Sequence, residues 1–413
     1  MKKMLFVMPT ISCGGAEKAL VELLKNINYS EYQVDLLLFR KDDMHYLNEI
    51  PSKVNILDHD IKFQYAFYHV KHLIKPKMFL RNIPVVVFRC WQTAMLKIRK
   101  ILKIKSYYYN WKTLKYIVPK NKKTYDIAIG YLEGNSIYYV VDKVDAQKKY
   151  GFFHTNFIKG GFKKSYEEKY VKELDKLFAV SKTMEDDLKK NMPEMTEKID
   201  TITNLINVEE LYQKAKEEHE INNNFKEYKG KKIISIGNLR YVKGYDISIK
   251  VCKKIKKDGY SFKWYILGEG KERKNLEKLI RKNHIENEMI LMGSIKNPYI
   301  YLNNADIYVQ TSRHEGLSTT VREAKIFCKP IVITDCQGMS DQIKNGITGK
   351  ITTYEINDLA KAIEEVLDDN MNNNEKYIYN LRREKEKISV KNQMEEFYKK
   401  ISWPYTSKGE TKS

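Results

Sequence analysis

Short apolar runs alternate with longer stretches of helical periodicity through both halves of the chain. Apolar runs of about four to eight residues between turns are typical of buried strands. Strands are expected at residues 4–8, 34–39, 54–57, 126–131, 151–154 and 177–181, and again at 233–237, 264–268, 289–292, 305–310 and 330–334. Because strands that alternate with helices form parallel sheets, the sequence predicts an α/β fold with two doubly wound domains.

The predicted domain boundaries follow from the length of 413 residues, which exceeds what one hydrophobic core usually organises. The first domain is predicted at residues 1–205 and the second at 206–385, with the link near 204–211. Helices are predicted at 358–367 and 381–403. The part at 386–403 is expected to pack back on the first domain, and 404–413 to form a polar tail.

The composition is that of a globular protein, with 42% hydrophobic and 31% charged residues. Its five cysteines are widely spread and include no pair at metal-binding or redox spacing, so reduced thiols are expected. The opening apolar stretch is interpreted as a strand. No apolar run approaches the roughly 18 residues of a membrane-spanning helix, so we expect a protein that is soluble or lies on a membrane without crossing it.

The net charge of +21 is concentrated in one part of the chain. Residues 61–124, here called the basic segment, contain 16 lysines and arginines and no acidic residue, and aromatic residues are interleaved with the cations. Such a segment can lie on an anionic bilayer. Single-stranded nucleic acid is the remote alternative, although no nucleic-acid-binding motif is present.

The first candidate loop is SCGGAEK, between the first predicted strand and its helix. Gly14 and Gly15 let the backbone approach a phosphate closely. A tight strand-to-helix turn explains the same residues equally well, and the loop fits neither the dinucleotide fingerprint nor the P-loop.

The second candidate loop is GNLRYVKGYD, at the matching position in the second half. It places the cations Arg240 and Lys243 beside a glycine turn, which suits a diphosphate. A solvated surface lysine at position 243 is the alternative.

The third candidate loop is RHEGLSTTVREA, which follows the predicted strand at 305–310. Its carboxylates, Glu315 and Glu323, can bind sugar hydroxyls beside the free amides of a helix start. Thr320 to Glu323 also matches a capping box, in which Glu323 only satisfies a backbone amide. Local sequence leaves both readings open.

The fourth candidate is His154, which ends a predicted strand among aromatic residues. A packed, hydrogen-bonded histidine is the alternative to a functional one.

These loops, in this order, resemble those of the retaining glycosyltransferases of the GT-B fold, specifically glycosyltransferase family 4. In the second half the resemblance rests on ISIGNLRYVKGYD, YILGEGKERKNLEKLI, NPYIYLNNADIYVQTSRHEGLSTTVREA and PIVITD. In the first half it rests on GGAEKAL, DIAIGYLEGN and FFHTN. The resemblance implies two Rossmann-like domains that face each other across a cleft, an acceptor-side domain followed by a nucleotide-sugar-binding domain.

The resemblance also implies the site. The donor diphosphate would meet the amides of Gly14 and Gly15 and the ammonium of Lys243. Glu323 would bind the ribose, and Glu315 would approach the donor sugar. Other residues implied near the sugar or phosphate are His154, Gly316, Leu317 and Ser318.

One position departs from the family pattern. Many members carry arginine directly after the glycine at Gly237, where this chain has Asn238. We expect Arg240 to supply that cation.

Cleavage of a sugar–diphosphate bond leaves negative charge on the departing diphosphate, which a cationic, amide-lined pocket stabilises. The resemblance implies that Glu315, His154 and Lys243 are the catalytic residues, and we expect no metal and no cofactor. The resemblance agrees on the absence of a metal and implies retention of anomeric configuration.

The predicted function is transfer of a hexose or N-acetylhexosamine from a nucleotide-diphosphate sugar, UDP by family habit, to a lipid-linked or envelope glycan acceptor. Capsular or exopolysaccharide assembly is favoured, and lipopolysaccharide synthesis is also compatible. The expected location is the cytoplasmic face of the cell membrane, with peripheral attachment. A sugar-nucleotide epimerase or a catalytically silent GT-B protein is the alternative.

Overall fold

The computed structural model of the protein describes residues 1–12, 14–41, 44–58, 63, 66–68, 73, 83–101, 109–158, 160–217, 221–315, 317–336, 338–368 and 373–401. They form two compact units. The first unit comprises Met1–Ile206 with the C-terminal helix, and the second comprises Asn207–Ser389.

A parallel sheet forms the centre of the first unit. Its described strands are β1 (Lys2–Met8), β2 (Tyr32–Leu38), β3 (Val54–Ile56), β4 (Thr124–Gly130), β5 (Asp145–Phe153), β6 (Lys176–Ala179) and β7 (Ile199–Thr201). Their order is β3-β2-β1-β4-β5-β6-β7, and all the described pairings are parallel. The end of β1, from Met4 to Met8, is fully buried. This is expected for a central strand whose two faces are both covered.

Helices connect these strands. The described helices within Met1–Ile206 are α1 (Gly15–Lys25), α2 (Ile83–Ile101), α3 (Tyr109–Leu114), α4 (Asn135–Lys143), α5 (Lys164–Lys172) and α6 (Lys182–Asn191). The hydrophobic stripe of α1 is typical of a helix lying on a sheet, because Leu20, Val21 and Leu24 are buried while Gly15 is exposed.

The second unit repeats this architecture. Its described strands are β8 (Lys231–Ile236), β9 (Phe262–Leu267), β10 (Met289–Gly293), β11 (Ile307–Gln310), β12 (Ile331–Thr334) and β13 (Lys350–Thr352). They lie in the order β10-β9-β8-β11-β12-β13 and are parallel throughout. Within its core, the indole of the fully buried Trp264 donates to Ser235 Oγ at 2.9 Å, so the polar atom of this large side chain is satisfied.

The described helices of the second unit are α7 (Val208–Lys214), α8 (Asn223–Glu227), α9 (Tyr245–Lys257), α10 (Arg273–Lys282), α11 (Tyr299–Asn303), α12 (Thr319–Ile326), α13 (Ile356–Asp368) and α14 (Asn373–Lys385). Helix α9 packs on α13 and α10. The apolar residues of α9 and α13 join the strands in one core cluster.

The strand orders create a topological switch point in each sheet. In the first sheet the order reverses between β1 and β4, and in the second it reverses between β8 and β11. Ligands of open α/β sheets bind beyond the carboxyl ends of the strands at such points. The loops that follow these four strands are therefore the places to look for a site.

The C-terminal helix α15 (Val390–Ile401) packs in the first unit. Tyr398 stacks on Tyr32 with ring centroids 5.4 Å apart, and its hydroxyl accepts the backbone N–H of Asn28 at 2.7 Å. Tyr150 donates to the carbonyl oxygen of Ile401 at 3.0 Å. The chain therefore contributes residues from both of its ends to one unit.

The prediction of two doubly wound α/β domains is confirmed, and each predicted strand overlaps an observed one. The prediction of one helix at 381–403 is wrong. After Lys385 the amides of Lys387 and Ile388 bond to carbonyls only three residues back, so α14 ends, and α15 begins at Val390 in the other unit. Residues 402–413 lie outside the described residues. Strand β13 was not predicted, because its three residues are too short for a recognisable pattern.

Candidate functional site

The loops after β8 and β11 begin at the same edge of the second sheet. These two strands are parallel neighbours, with Ile233 paired to Ile307 and Ile234 to Tyr308. Their carboxyl ends therefore lie side by side at the switch point. This pairing brings together two loops that are about 70 residues apart in the sequence.

Lys243 and Glu315 meet between these loops. Lys243 Nζ lies 2.6 Å from Glu315 Oε1, and the two side chains are only 19% and 12% exposed. The hydroxyl of Ser312 donates to the same carboxylate oxygen, also at 2.6 Å. The two residues predicted to be catalytic in this half are thus in direct contact.

A row of buried polar side chains, Gln310, Ser312 and Thr334, holds Glu315 in place. Gln310 and Ser312 are fully buried at the end of β11, and the amide of Gln310 donates to the hydroxyl of Ser312 at 2.8 Å. Thr334, at the end of β12, donates to the carbonyl of Ser312 at 2.9 Å. Buried polar groups of this kind need partners, so the row fixes the side chain that holds Glu315. This row was not predicted, although polar residues at and after the end of a buried strand are a usable signal.

Two glycines allow the Lys243 loop to lie close to its neighbours. Gly244 has φ +69° at the start of α9, and a Cβ there would lie 2.0 Å from the carbonyl oxygen of Thr311. A Cβ at Gly237 would lie 3.3 Å from Lys243 Cε. The loop can therefore rest against β11 only with glycine at position 244.

Glu323 lies inside α12 and is 5% exposed. The hydroxyl of Tyr299 donates to Glu323 Oε1 at 3.3 Å. The helix begins after Ser318, whose hydroxyl accepts the amide of Val321, so Ser318 is the N-cap. The capping-box alternative for Thr320 to Glu323 is therefore wrong. Thr320 is already within the helix, and its hydroxyl lies 2.8 Å from that of Tyr308.

The other predicted donor-binding residues of this unit differ in how they are placed. Leu317 is half-buried and Ser318 is buried at the start of α12, whereas Gly316 lies outside the described residues. Arg240 is exposed at the start of the turn that carries Lys243. Its guanidinium has no hydrogen bond or ion pair with any residue that the structure describes. Arg240 therefore offers a free cation beside the Lys243 loop.

In the first unit, the glycine loop after β1 leads into α1. Gly14 is the residue before the helix and Gly15 its first residue. Glu17 folds back over this start, because a Cβ on Gly14 would lie 2.2 Å from Glu17 Oε2. The hydroxyl of Ser12 donates to Glu17 Oε1 at 3.2 Å. An internal carboxylate thus sits at the amides predicted to meet a phosphate.

His154 follows β5, which lies between β4 and β6 in the sheet. Its ring hydrogen-bonds to the backbone of Tyr131, while its buried Nε2 has no partner among the described residues. Burial lowers the pKa of His154 to about 4, so the ring is neutral at physiological pH. A neutral imidazole that donates through Nδ1 carries a lone pair on Nε2, which can accept a hydrogen bond from a hydroxyl.

Glu133, after β4, holds the backbone beside this ring. Its Oε2 accepts the N–H of His154 at 2.8 Å. Burial raises the pKa of Glu133 to about 7, and repulsion from Glu17 acts in the same direction. Glu133 belongs to the motif DIAIGYLEGN but was not singled out as a site residue.

Comparison with known proteins adds the family. Residues 216–384 match the glycosyl transferases group 1 family. This segment is thus similar to a group 1 glycosyl transferase domain. It contains Lys243, Glu315 and Glu323. Family 4, the narrower prediction, stays a prediction.

Two individual proteins are similar to parts of the chain. The chain is 33% identical over 138 residues to an uncharacterized glycosyltransferase of Methanocaldococcus jannaschii, covering 33% of this chain and 34% of that protein. It is 28% identical over 228 residues to a poly(ribitol-phosphate) alpha-N-acetylglucosaminyltransferase of Staphylococcus aureus, covering 52% of this chain and 43% of that protein. The matches thus span less than half the length of these relatives.

Among solved structures, the chain is similar to Anabaena HepE in complex with UDP. The TM-score is 0.67 at 15% identity, and the alignment covers 97% of this chain and 99% of that one. At this identity the likeness shows the fold, which is that of the GT-B class.

The match to the group 1 family does not show whether the protein binds a metal ion. An Asp-x-Asp triplet is present at Asp58-His59-Asp60, directly after β3 in the first unit. Its last two residues lie outside the described residues. Independence from metal therefore stays a prediction, which rests on the cationic loop and on the family resemblance.

Proposed function

We propose that the protein is a retaining glycosyltransferase that transfers a hexose or N-acetylhexosamine from a UDP-sugar to a lipid-linked or envelope glycan acceptor. The observation that carries the proposal is the contact between Lys243 and Glu315 at the switch point of a segment similar to a group 1 glycosyl transferase domain. A cation and a carboxylate at this point suit a donor that is anionic at its diphosphate and rich in hydroxyls at its sugar.

In this proposal the chain's own residues share the work on the donor. Lys243, with Arg240 beside it, binds the diphosphate and stabilises the negative charge that develops when the sugar leaves. Glu323 accepts hydrogen bonds from the ribose, and Glu315 from the sugar. Because lysine and arginine carry this charge, the proposed reaction needs no metal.

In this proposal the first unit contributes a hydrogen-bond acceptor at His154 and hydrogen-bond donors at two glycine amides. His154 Nε2 is buried and lacks a partner among the described residues, so a sugar hydroxyl would satisfy it. The amides of Gly14 and Gly15 would meet the diphosphate once Glu17 moves away from them. The UDP in the complex of Anabaena HepE supports UDP as the carrier. The S. aureus relative, which is named for a polymer acceptor, supports a glycan acceptor.

Attachment to an anionic membrane surface is part of the proposal, and α2 supports it. Among the described residues no helix combines the length and the apolar character needed to cross a bilayer. Helix α2 nevertheless exposes one apolar face, with Val87 57%, Trp91 53% and Ile98 48% exposed. Its opposite face is buried and partly polar, since Arg89 and Gln92 are inside. An apolar stripe within a segment that has no acidic residue fits the headgroup region of an anionic cytoplasmic leaflet.

The part of the basic segment at 61–82 and 102–108 lies outside the described residues, apart from residues 63, 66–68 and 73. The membrane proposal therefore uses only the face of α2.

The proposal is tested by thermal unfolding of the purified protein with a panel of UDP- and GDP-sugars. A donor at about 100 times its Kd adds about 2.7 kcal/mol, which raises Tm by roughly 5–10 °C. Lys243→Met should reduce the shift, because it weakens donor binding. Lys231→Met is the matched control, because Lys231 is exposed at the opposite end of β8.

A transfer assay with a lipid-linked oligosaccharide then separates the candidate activities. A glycosyltransferase releases UDP and lengthens the acceptor, whereas an epimerase converts the free nucleotide sugar without an acceptor. Absence of a shift with every nucleotide, or an equal shift in Lys243→Met, would contradict the proposal.

A further inference from the structure

The Lys243–Glu315 pair has the features of a closed contact. The 2.6 Å distance is that of a direct charge-assisted hydrogen bond, and both side chains are largely shielded from water. Because little water reaches the two side chains, solvent and salt weaken this ion pair less than they weaken ion pairs on the surface. The cation predicted to bind a diphosphate is therefore already neutralised by an anion of the same unit.

Arg313 holds the two loops of this pair in a fixed relation. Its guanidinium donates to both carboxylate oxygens of Asp246, at 2.8 and 2.7 Å, and to the carbonyl of Tyr241 at 2.7 Å. Its backbone N–H donates to the carbonyl of Val242 at 2.7 Å. These bonds flank Lys243 on both sides, so the Lys243 loop is tied to the Glu315 loop.

Each member of the pair also has a close neighbour of its own. Lys243 lies against Gly237, where a Cβ would be 3.3 Å from its Cε. Glu315 is held by the hydroxyl of Ser312. An incoming diphosphate therefore meets the ammonium with the carboxylate next to it.

We propose that Glu315 is an internal competitor for the diphosphate at Lys243, so that donor binding exchanges one anion for another at this ammonium. The inference rests on the proposed function and specifies how the same site sets its affinity for nucleoside diphosphate. Either the carboxylate leaves the ammonium, or it stays and repels the diphosphate. Both outcomes lower the affinity, because breaking the ion pair costs free energy and because two anions within a few ångströms of each other repel strongly where water is scarce.

The consequence is an opposite effect of Glu315 on binding and on transfer. Removing its charge frees Lys243 and tightens the binding of UDP. It also removes the carboxylate that accepts hydrogen bonds from the donor sugar, so transfer slows. A residue that only contacts the donor would give weaker binding and slower transfer together.

The experiment titrates UDP, which lacks the transferred sugar that Glu315 is proposed to contact, into the wild type, Glu315→Gln, Lys243→Met and the double variant by calorimetry. Glu315→Gln is expected to lower the Kd of UDP by about three- to tenfold, which corresponds to about 0.7–1.4 kcal/mol. In the Lys243→Met background the same change should alter the Kd by less than about twofold, because the contested cation is gone.

Glu269→Gln is the matched control. Glu269 is an exposed acid after β9 that pairs with Arg273. The substitution Glu269→Gln therefore removes the same charge as Glu315→Gln at a residue that does not contact Lys243. Its Kd should equal that of the wild type. The thermal unfolding of each variant, measured without ligand, verifies that it is folded.

The results distinguish the possible failures. An unchanged or weaker Kd in Glu315→Gln overturns the inference while leaving the proposed function in place. Equal tightening in the Lys243→Met background, or in Glu269→Gln, shows a general charge effect and overturns it as well. If UDP and the nucleotide sugars fail to bind the wild type, the proposed function itself falls.

Discussion

Two carboxylates of the first unit, Glu133 and Glu167, are buried, and the charge of Glu133 acts on Glu167. Glu167 is 2% exposed, and the hydroxyl of Tyr138 donates to its Oε1. Burial raises the pKa of Glu167 to about 8, and repulsion from Glu133 adds to the effect. An acid that holds its proton in the folded state links folding to pH.

The sign of this link gives the first prediction. Between pH 4.5 and about 8 the unfolded state loses the proton of Glu167 while the folded state keeps it. Stability therefore falls as pH rises through this window. Glu167→Gln should remove part of that fall, so that its stability relative to the wild type improves by on the order of 2 kcal/mol from pH 5 to pH 8.5. Urea unfolding at the two pH values measures it.

Glu194→Gln is the control for this measurement, since Glu194 is exposed and the substitution makes the same change in charge. In Glu167→Gln, the amide oxygen of the new side chain can still accept a hydrogen bond from the hydroxyl of Tyr138, so this variant keeps that hydrogen bond. An equal loss of stability with pH in the wild type and in Glu167→Gln would show that Glu167 titrates normally.

The neutral state of His154 has a consequence for the pH dependence of activity. Because burial lowers its pKa to about 4, its Nε2 keeps the lone pair above that pH. In the proposed function, His154 therefore contributes no titration to a transfer profile measured between pH 5 and 8. The group that can titrate near neutral pH beside it is Glu133, whose pKa burial raises to about 7.

The turn and helix that carry Lys243 depend on one backbone conformation. Gly244 has φ +69°, and its Cα faces the carbonyl of Thr311 so closely that a Cβ would be 2.0 Å from that oxygen. Thr311 also donates its hydroxyl to the carbonyl of Gly244 at 2.9 Å. The contact fixes the start of α9 against the end of β11.

Gly244→Ala is therefore expected to destabilise the protein by about 3 kcal/mol or more, combining left-handed strain of about 1–2 kcal/mol with overpacking. Gly346→Ala is the matched control. Gly346 has φ +73° but no atom within 4 Å of an added Cβ, so only the strain applies. Chemical denaturation of both variants measures the difference, and equal losses would show that the Thr311 contact yields without cost.

The last two helices illustrate the limit of periodicity as a signal. Residues 381–403 carry a nearly continuous helical pattern, yet α14 and α15 are separate and belong to different units. The break is decided by where each apolar face is buried: Leu381 in the second unit, and Phe397 and Ile401 in the first. Most helical stability comes from such packing, which local sequence does not report.

At the level of the whole molecule, the same strand order in both sheets places candidate residues at two switch points. The charge is distributed differently, since the acid-free basic segment lies in the first unit alone. The apolar face of α2 lies in the same unit. A membrane-facing surface is therefore expected on the first unit.

The double variant Val87→Glu, Trp91→Glu should bind anionic vesicles several-fold more weakly than the wild type, because it removes exposed apolar area and adds negative charge. Cosedimentation with vesicles containing phosphatidylglycerol, at low salt, measures the bound fraction. Tyr379→Glu is the control, since Tyr379 is 60% exposed on α14 in the second unit. Equal binding by the wild type and the double variant, or recovery of the wild type wholly in the supernatant, would contradict membrane attachment through α2.

Much of the architecture was readable from the order of residues. Alternating apolar runs predicted the strands because burial on both faces of a parallel sheet demands them. Glycine, lysine and glutamate in the loops after buried strands predicted where chemistry could occur, and the family resemblance favoured this interpretation over a tight turn or a solvated surface lysine. Recognition of Lys243, Glu315 and His154 as candidates required no coordinates.

The contacts among these residues were decided by the tertiary structure. Lys243 and Glu315 are 72 positions apart and meet because β8 pairs with β11, a choice that no local pattern encodes. Likewise, Ser318 rather than Thr320 caps α12. The neutral charge of His154 and the raised pKa of Glu133 come from burial. Pairing, capping and burial depend on neighbours that are distant in sequence, so they follow only once the chain is packed.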